Sequence, residues 1–183
     1  MLCRFCYYGL FLLSACALLS GACQPIQAPS ANLPEYAHPE ALVSTEWLST
    51  RLADPSIRIL DTRDFLEVDF RSSRFASYKA GHIPGAVFVD ALDDISDPNG
   101  AVPYLILQQG DFEQLMGQLG VGNATTVVVY DDSGNSIAAR LWWALRYYGH
   151  EDVKLLNGGL TRWEMDGLPL ETCLLYTSPS PRD

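Results

Sequence analysis

Thr126-Val-Val-Val-Tyr-Asp-Asp-Ser-Gly-Asn-Ser-Ile-Ala-Ala-Arg140 is the stretch whose reading decides the fold. Val127 to Tyr130 is a continuous apolar run rich in β-branched residues, the pattern of a strand buried on both faces. Asp131 to Ser136 is a short polar loop. Ile137, Ala138, Leu141, Trp142 and Leu145 then recur at helical spacing. In an open parallel sheet, a loop of this kind lies beyond the carboxyl end of a central strand, where such sheets keep their ligand sites. The following helix presents free backbone N–H groups to an anion. The loop therefore has the architecture of an anion-holding active site, yet it contains no Cys, His or Lys. The functional question turns on that mismatch.

The same alternation extends outward in both directions. Downstream, Gly149 ends the long helix, residues 153–156 read as a last strand, and Gly158-Gly159 turns into a helix over 160–165 with Trp163 inward. Upstream, residues 111–119 read as a helix with Phe112, Leu115, Met116 and Leu119 inward and Gly120 closing it. Before it lie an acidic loop, 93–100, and a strand, 86–89, fed by the turn Gly81-His-Ile-Pro-Gly-Ala86. Residues 65–79 are amphipathic and charged and read as loop with some helix. Residues 57–60 form a strand that ends in Asp61-Thr62-Arg63. Residues 41–43 are a short strand, and Ser44 caps a helix over 45–53, with Glu46 at its positive dipole end and Asp54-Pro55 stopping it. Strands alternating with helices predict an α/β fold: an open parallel sheet with helices on both faces.

The chain has 183 residues, enough for one domain with a sizeable core, and 48 % hydrophobic with 19 % charged residues is ordinary for a globular protein. A formal net charge of -10 argues against nucleic acid or an anionic membrane surface as a partner. The five cysteines are Cys3, Cys6, Cys16, Cys23 and Cys173, so the stretch from Gln24 to Thr172 has no cysteine for a disulfide or a metal cluster. His38, His82 and His150 are scattered without ligand spacing. No metal and no organic cofactor is expected.

Residues 1–23 have one positive charge, Arg4, followed by an apolar stretch too short and too interrupted for a span, the pattern of a secretory signal. Small residues before cysteine resemble a bacterial lipoprotein signal at two places. Leu13-Ser14-Ala15-Cys16 fits the usual pattern better. Ser20-Gly21-Ala22-Cys23 leaves a longer apolar core and is followed at once by a polar, Pro-rich tether, so Cys23 is the preferred lipid attachment site and Cys16 the alternative. The expected location is the bacterial periplasm or cell envelope, with the membrane reached only through the N-terminal lipid. Residues 24–40 are linker and 41–172 the folded domain. Residues 173–183 do not continue it. They are similar to an in-frame translation of a transposase-library sequencing adapter and are set outside the fold.

Five pieces together resemble the rhodanese domain: Ile59-Leu-Asp-Thr-Arg63, Tyr78-Lys-Ala-Gly-His-Ile-Pro-Gly-Ala86, Val128-Val-Tyr-Asp131, Ala138-Ala-Arg-Leu-Trp-Trp143 and Val153-Lys-Leu-Leu-Asn-Gly-Gly-Leu-Thr-Arg-Trp163. They occur in the family's order across residues 42–171. The resemblance implies a rhodanese-like open parallel sheet and the transfer of sulfane sulfur from a small anionic donor, through a cysteine at the first position of the six-residue loop. Aligning strand ends puts Asp131 at that position, with Asp131, Asp132, Ser133, Gly134, Asn135 and Ser136 as the loop. A carboxylate cannot carry sulfane sulfur and would itself occupy the anion site. The chain thus resembles the inactive first half of tandem-domain thiosulfate/3-mercaptopyruvate sulfurtransferases, and the Trp142-Trp143 pair is typical of such halves. The resemblance implies a partner in the same chain, a C-terminal rhodanese domain carrying the cysteine. In mercaptopyruvate-using members an Asp and a His follow the turn. The matching stretch here, Pro103-Tyr-Leu-Ile-Leu-Gln-Gln109, has no histidine, which weakens the mercaptopyruvate reading and leaves the donor open, thiosulfate or a similar one. The rival from another class is a single-domain binding or regulatory module with a degenerate rhodanese fold. A phosphatase on the related fold also needs the missing cysteine.

Several residues carry a structural reading beside a functional one. His82 is read as shaping its tight turn rather than as catalytic. Asp61 and Arg63 either bind an anion or form a strand-end ion pair. One of Trp142 and Trp143 must face the core, because consecutive helix positions point in different directions. Asp131 and Asp132 lack a third ligand for a metal. Arg140 either lines the cleft or pairs with the Asp131 region.

Overall fold

A computed structural model describes residues 37–63 and 70–172. The residues read as a leader, both candidate lipid-attachment cysteines, most of the segment read as linker and the 173–183 tail lie outside the described residues. The chain divides into two units, residues 1–35 and 36–183, and every described residue belongs to the second.

After a 3-10 turn at Pro39–Ala41, the order is β1 (Leu42–Val43), α1 (Thr45–Ser49), β2 (Ile57–Asp61), α2 (Phe70–Ala80), β3 (Val87–Phe88), α3 (Gln109–Gln118), β4 (Thr126–Tyr130), α4 (Ala138–Tyr147), β5 (Val153–Leu156) and α5 (Gly159–Met165). The strands form one five-stranded sheet, β1-β5-β4-β2-β3, with every neighbouring pair parallel. This is the expected α/β architecture. Its layers follow from the two-residue period of the strands. Val127 and Val129 of β4 face a cluster containing Phe112, Met116, Leu141 and Leu145, contributed by α3 and α4. Val128 and Tyr130 face the opposite cluster, with Leu48 of α1 and Leu160 and Trp163 of α5. A strand buried on both faces has no polar alternation to show, which is why the Val127 to Tyr130 run is continuous.

Some boundaries differ from expectation. α1 is shorter than the predicted 45–53; Ser44 Oγ accepts from Trp47 N at 3.1 Å as expected of a cap, but the helix ends at Ser49 and the chain continues in turns. The predicted strand 86–89 is paired only over Val87–Phe88, at the sheet edge. Part of the segment read as loop with some helix is an eleven-residue helix, α2, and residues 64–69 before it lie outside the description.

The topology also locates the site. From β2 the chain runs on to the β3 edge, whereas from the adjacent β4 it runs to β5 on the other side. The order therefore reverses between β2 and β4, and ligand crevices form at the carboxyl ends of strands that diverge in this way. Thr62 and Arg63 follow β2 at that point, and Asp131 to Ser136 follow β4.

Candidate functional site

The loop after β4 turns back on itself through two consecutive left-handed residues, Gly134 (φ 77°) and Asn135 (φ 66°). Asn tolerates this region better than most non-glycine residues. Its side chain also anchors the loop, because Asn135 Nδ2 donates to Leu156 O at the end of β5, 2.8 Å away. The loop packs on the start of α5 as well. Leu160 N donates to Asp131 O at 2.8 Å, and a Cβ on Gly159 would overlap that same oxygen, so the close approach requires glycine.

This path wraps four backbone donors around the Asp131 carboxylate. Oδ1 accepts from Ser133 N (2.9 Å) and Asn135 N (2.6 Å), and Oδ2 from Ile137 N (2.9 Å) and Ala138 N (3.0 Å). Asp131 is 0 % exposed. The last two donors belong to the first turn of α4, where Ile137 supplies no side-chain cap. The carboxylate performs that office from six residues upstream, with its charge at the positive end of the helix dipole. An anion cradle of oriented N–H groups is thus present and already full. Asp132 is half-buried beside it. Burial raises its pKa, partly offset by the nearby Arg63 charge.

Beneath the loop, the ends of β2 and β4 share a buried charged network. Arg63 Nε and Nη2 donate to the Asp61 carboxylate, Nη2 at 2.6 Å, while Nη2 also reaches Gly81 O (2.7 Å) and Nη1 reaches Ser77 O (3.3 Å). Tyr130 Oη donates to Asp61 Oδ2 at 2.6 Å and accepts from Ile83 N at 3.1 Å. Of the two readings of Asp61 and Arg63, the structure forms the ion pair. Burial alone would pull the Arg63 pKa down, but hydrogen bonding to Asp61 and its charge leave it raised. Burial, then the Asp61 charge, pushes the Tyr130 pKa well up.

His82 is fully buried in the turn it was expected to shape. Its ring stacks on Tyr78 with centroids 4.0 Å apart, and Nδ1 lies 2.9 Å from Tyr78 O. A carbonyl only accepts, so Nδ1 carries the proton. Tyr78 Oη donates to Ala86 O at 2.7 Å, closing the same turn. The turn in turn holds residue 171: His82 and Glu171 exchange both backbone hydrogen bonds, and Glu171 Oε2 accepts from Gly85 N at 2.9 Å. The contacts of His82 are with Tyr78 and Glu171, not with the loop.

Arg140 takes neither of its expected positions. It leaves α4 sideways to hold the 91–104 segment, donating to Ala91 O (2.9 Å), Ser96 Oγ (3.1 Å) and Tyr104 O (2.7 Å). Three acceptors on one loop outcompete a carboxylate that is already saturated by backbone donors. Trp142 packs against the core with Nε1 donating to Val153 O at 3.1 Å, whereas Trp143 is 49 % exposed and stacks on the exposed Tyr147. The anchoring roles of Asn135, Gly159 and Glu171 were not read from the sequence. A Gly-Asn pair before a helix was the available signal for the first. Among the described residues no group of three or more His, Cys, Asp or Glu is placed to hold a metal, and no helix is long and apolar enough to cross a membrane.

The sulfur carrier protein TtuD of Thermus thermophilus is 42 % identical over 137 residues, covering 75 % of this chain and 44 % of that protein. The 3-mercaptopyruvate sulfurtransferase of Escherichia coli K12 is 37 % identical over 129 residues, covering 70 % and 46 %. The crystal structure of Escherichia coli SseA, described as a 3-mercaptopyruvate sulfotransferase, superposes with a TM-score of 0.67 at 36 % identity, covering 74 % of this chain and 51 % of that one. The chain thus spans about half or less of the length of these relatives. The family profile described as rhodanese-like domain matches residues 44–166, most of the chain, and with the parallel sheet, the turn at 81–86 and the six-residue loop in place, this chain belongs to the rhodanese-like domain family, with homology to thiosulfate/3-mercaptopyruvate sulfurtransferases.

Proposed function

We propose that this chain is the first, non-catalytic rhodanese domain of an exported, lipid-anchored sulfurtransferase whose second rhodanese domain carries the reactive cysteine. The observation that carries the reading is the Asp131 carboxylate, buried and held by four backbone N–H groups at the position that the resemblance assigns to the family's thiolate. In the whole protein, the thiolate of the second domain attacks the outer sulfur of thiosulfate or a similar donor. Sulfite leaves, the enzyme keeps a persulfide, and a thiophilic acceptor then takes the sulfur and restores the thiolate. A carboxylate oxygen has no comparable affinity for sulfane sulfur, so the present domain serves as wall and partner surface. Homology to sulfurtransferases supports sulfur transfer as the activity of the whole.

The test has two arms. Purified residues 24–172 should release no thiocyanate from thiosulfate and cyanide above the no-protein control. The genomic reading frame beyond the codon for Thr172 should encode a second rhodanese domain with cysteine opening its loop. A stop codon there, or a second domain without that cysteine, leaves a non-enzymatic binding module as the better reading, which the intact scaffold around a saturated cradle also supports. Export and lipidation are tested separately: mass spectrometry of the membrane fraction should find a diacylated Cys23, with Cys16 as the alternative start.

A further inference from the structure

Past α5 the chain returns to the turn at 81–86 as a short strap, residues 168–171, beyond the 44–166 stretch that the rhodanese-like profile matches. Its near half is tied to α5. Leu168 N donates to Trp163 O at 3.2 Å, and Trp163 Nε1 donates to Pro169 O at 2.8 Å. Its far half is tied to the turn. Glu171 N donates to His82 O at 2.8 Å, and His82 N donates to Glu171 O at 3.0 Å. Leu170 packs over Gly81, where an added Cβ would meet its Cδ1 at 3.2 Å.

This junction leaves one polar atom over. His82 is fully buried, its Nδ1–H is spent on Tyr78 O, and its Nε2 has no hydrogen-bond partner in the protein. Nε2 faces Glu171 Oε2 across 4.0 Å. That oxygen accepts from Gly85 N, and a carboxylate oxygen has a second lone pair to offer. With a neutral imidazole, two acceptors oppose each other across the gap with no proton between them. A proton on Nε2 turns the orphan acceptor into a donor aimed at a carboxylate. It also turns a pair with a net negative charge into a neutral one. Burial penalises both the unpaired polar atom and the net charge, so the closed strap favours the protonated pair. Lifting the strap gives both groups to water and removes that preference.

We propose that His82 and Glu171 form a proton-dependent latch: protonation of Nε2 closes the gap to Oε2 into an ion-paired hydrogen bond and fastens the strap to the turn. The other ionisable groups around the turn do not compete for this proton. From α2, Tyr78 stacks on the imidazole; burial first, then the Asp61 and Glu171 charges, push its pKa up to about 12 against the opposing Arg63, so it is neutral throughout. Lys79 is exposed and lies over the Phe75 ring. From the end of β2, Arg63 reaches Gly81 O, but its charge is matched by Asp61. From β4, Tyr130 reaches Ile83 N with a hydroxyl whose pKa burial holds well above that of free tyrosine. Because the closed latch binds the proton and the open one releases it to water, closure is favoured on the acid side of the ordinary histidine range and weakens as pH rises through it. The latch concerns the strap rather than the Asp131 loop, and it stands or falls independently of the proposed function.

The test is amide hydrogen exchange on the isotope-labelled whole chain. Rates are divided by those of the unfolded peptide at the same pH, which removes the intrinsic pH dependence. The His82 and Glu171 amides, which make the two strap bonds, should gain at least about threefold in protection between about pH 8 and about pH 5.5. The Val128 amide in the sheet centre reads global opening and should not follow them. Glu171→Gln, at a part-exposed position, keeps an acceptor for Gly85 N and lacks the charge; it should fold and should flatten the pH dependence of both strap amides. Long-range ¹H–¹⁵N correlation of the His82 ring should show Nε2 changing from unprotonated to protonated over the range in which protection rises. Strap protection that is flat with pH overturns the proposal. So does a pH dependence that survives Glu171→Gln, or an Nε2 that stays unprotonated at pH 5.5.

Discussion

Replacing Asp131 with Ala removes the one group on which four backbone donors converge. A hydrogen bond to a charged partner contributes about 1.5–3 kcal/mol net, so four independent bonds would exceed about 6 kcal/mol. They are not independent. They share one carboxylate, and Ser133 and Gly134 in the same loop are exposed, so water can enter the vacated polar space and satisfy some of the donors. A loss of about 3–4 kcal/mol is therefore expected, near the upper end for single substitutions. For a domain of this size that lowers Tm by roughly 10–15 °C. The cause can be separated from a generic cavity by refilling the cradle. Formate has the carboxylate's shape and charge without the tether. At about 100 mM it should recover a measurable part of the lost Tm in Asp131→Ala, and none in the parent, relative to chloride at equal ionic strength. Differential scanning fluorimetry reads both effects. A variant that melts within about 1 kcal/mol of the parent, or one that chloride and formate stabilise alike, would refute the view that the carboxylate is the cradle's built-in anion.

Three further outcomes follow from the same contacts. Gly159→Ala places a Cβ against Asp131 O at a residue with φ 57°, and should cost about 2 kcal/mol or more in chemical denaturation; a loss under about 0.5 kcal/mol would mean that loop and α5 separate easily. Tyr130 and Tyr78 have pKa values raised above that of free tyrosine, Tyr78 to about 12, chiefly by burial. Groups held protonated only in the fold contribute stability that is complete below about pH 10 and is lost as the pH rises above it, so alkaline unfolding should coincide with the last tyrosines to ionise at 295 nm, and Tyr130→Phe should remove one of them. Asp131→Cys alone should give little thiosulfate:cyanide activity, because Asp132 remains beside the new thiol and disfavours both thiolate and anionic donor; turnover comparable to an active rhodanese would contradict this.

What the sequence showed of this fold depended on how local each cause was. The β4–loop–α4 unit was legible because its signals lie side by side: a β-branched run, a polar loop and a helical repeat. That Asp131 fills its own anion site followed from its place in that unit. The course of Arg140 was not legible. Its acceptors lie 36 to 49 positions away, and two of them are backbone carbonyls, which leave no mark in side-chain identity. Glu171 was missed for the same reason, since it acts by closing on a turn 86 residues earlier. α2 was under-read: its segment was seen as amphipathic and charged, but no cap or stop signal marked where the helix begins at Phe70.

A domain that had merely lost its nucleophile would not need a cradle. Four N–H groups left pointing at an empty, water-filled space would weaken the loop, and drift toward a loop of another shape would follow. Here the loop keeps the full wrap, a left-handed Asn135 tied to β5, and a glycine at 159 that permits contact with α5. The carboxylate satisfies what a thiolate or persulfide would otherwise meet only in part, since it offers two oxygens to two pairs of donors. An Asp at this position thus gives the loop rigidity and no sulfur nucleophile. Such a combination is useful where the loop must hold a fixed surface and take no sulfur itself. The proposed wall-and-partner role requires such a loop, and the Asp131→Ala measurement tests whether the carboxylate holds it.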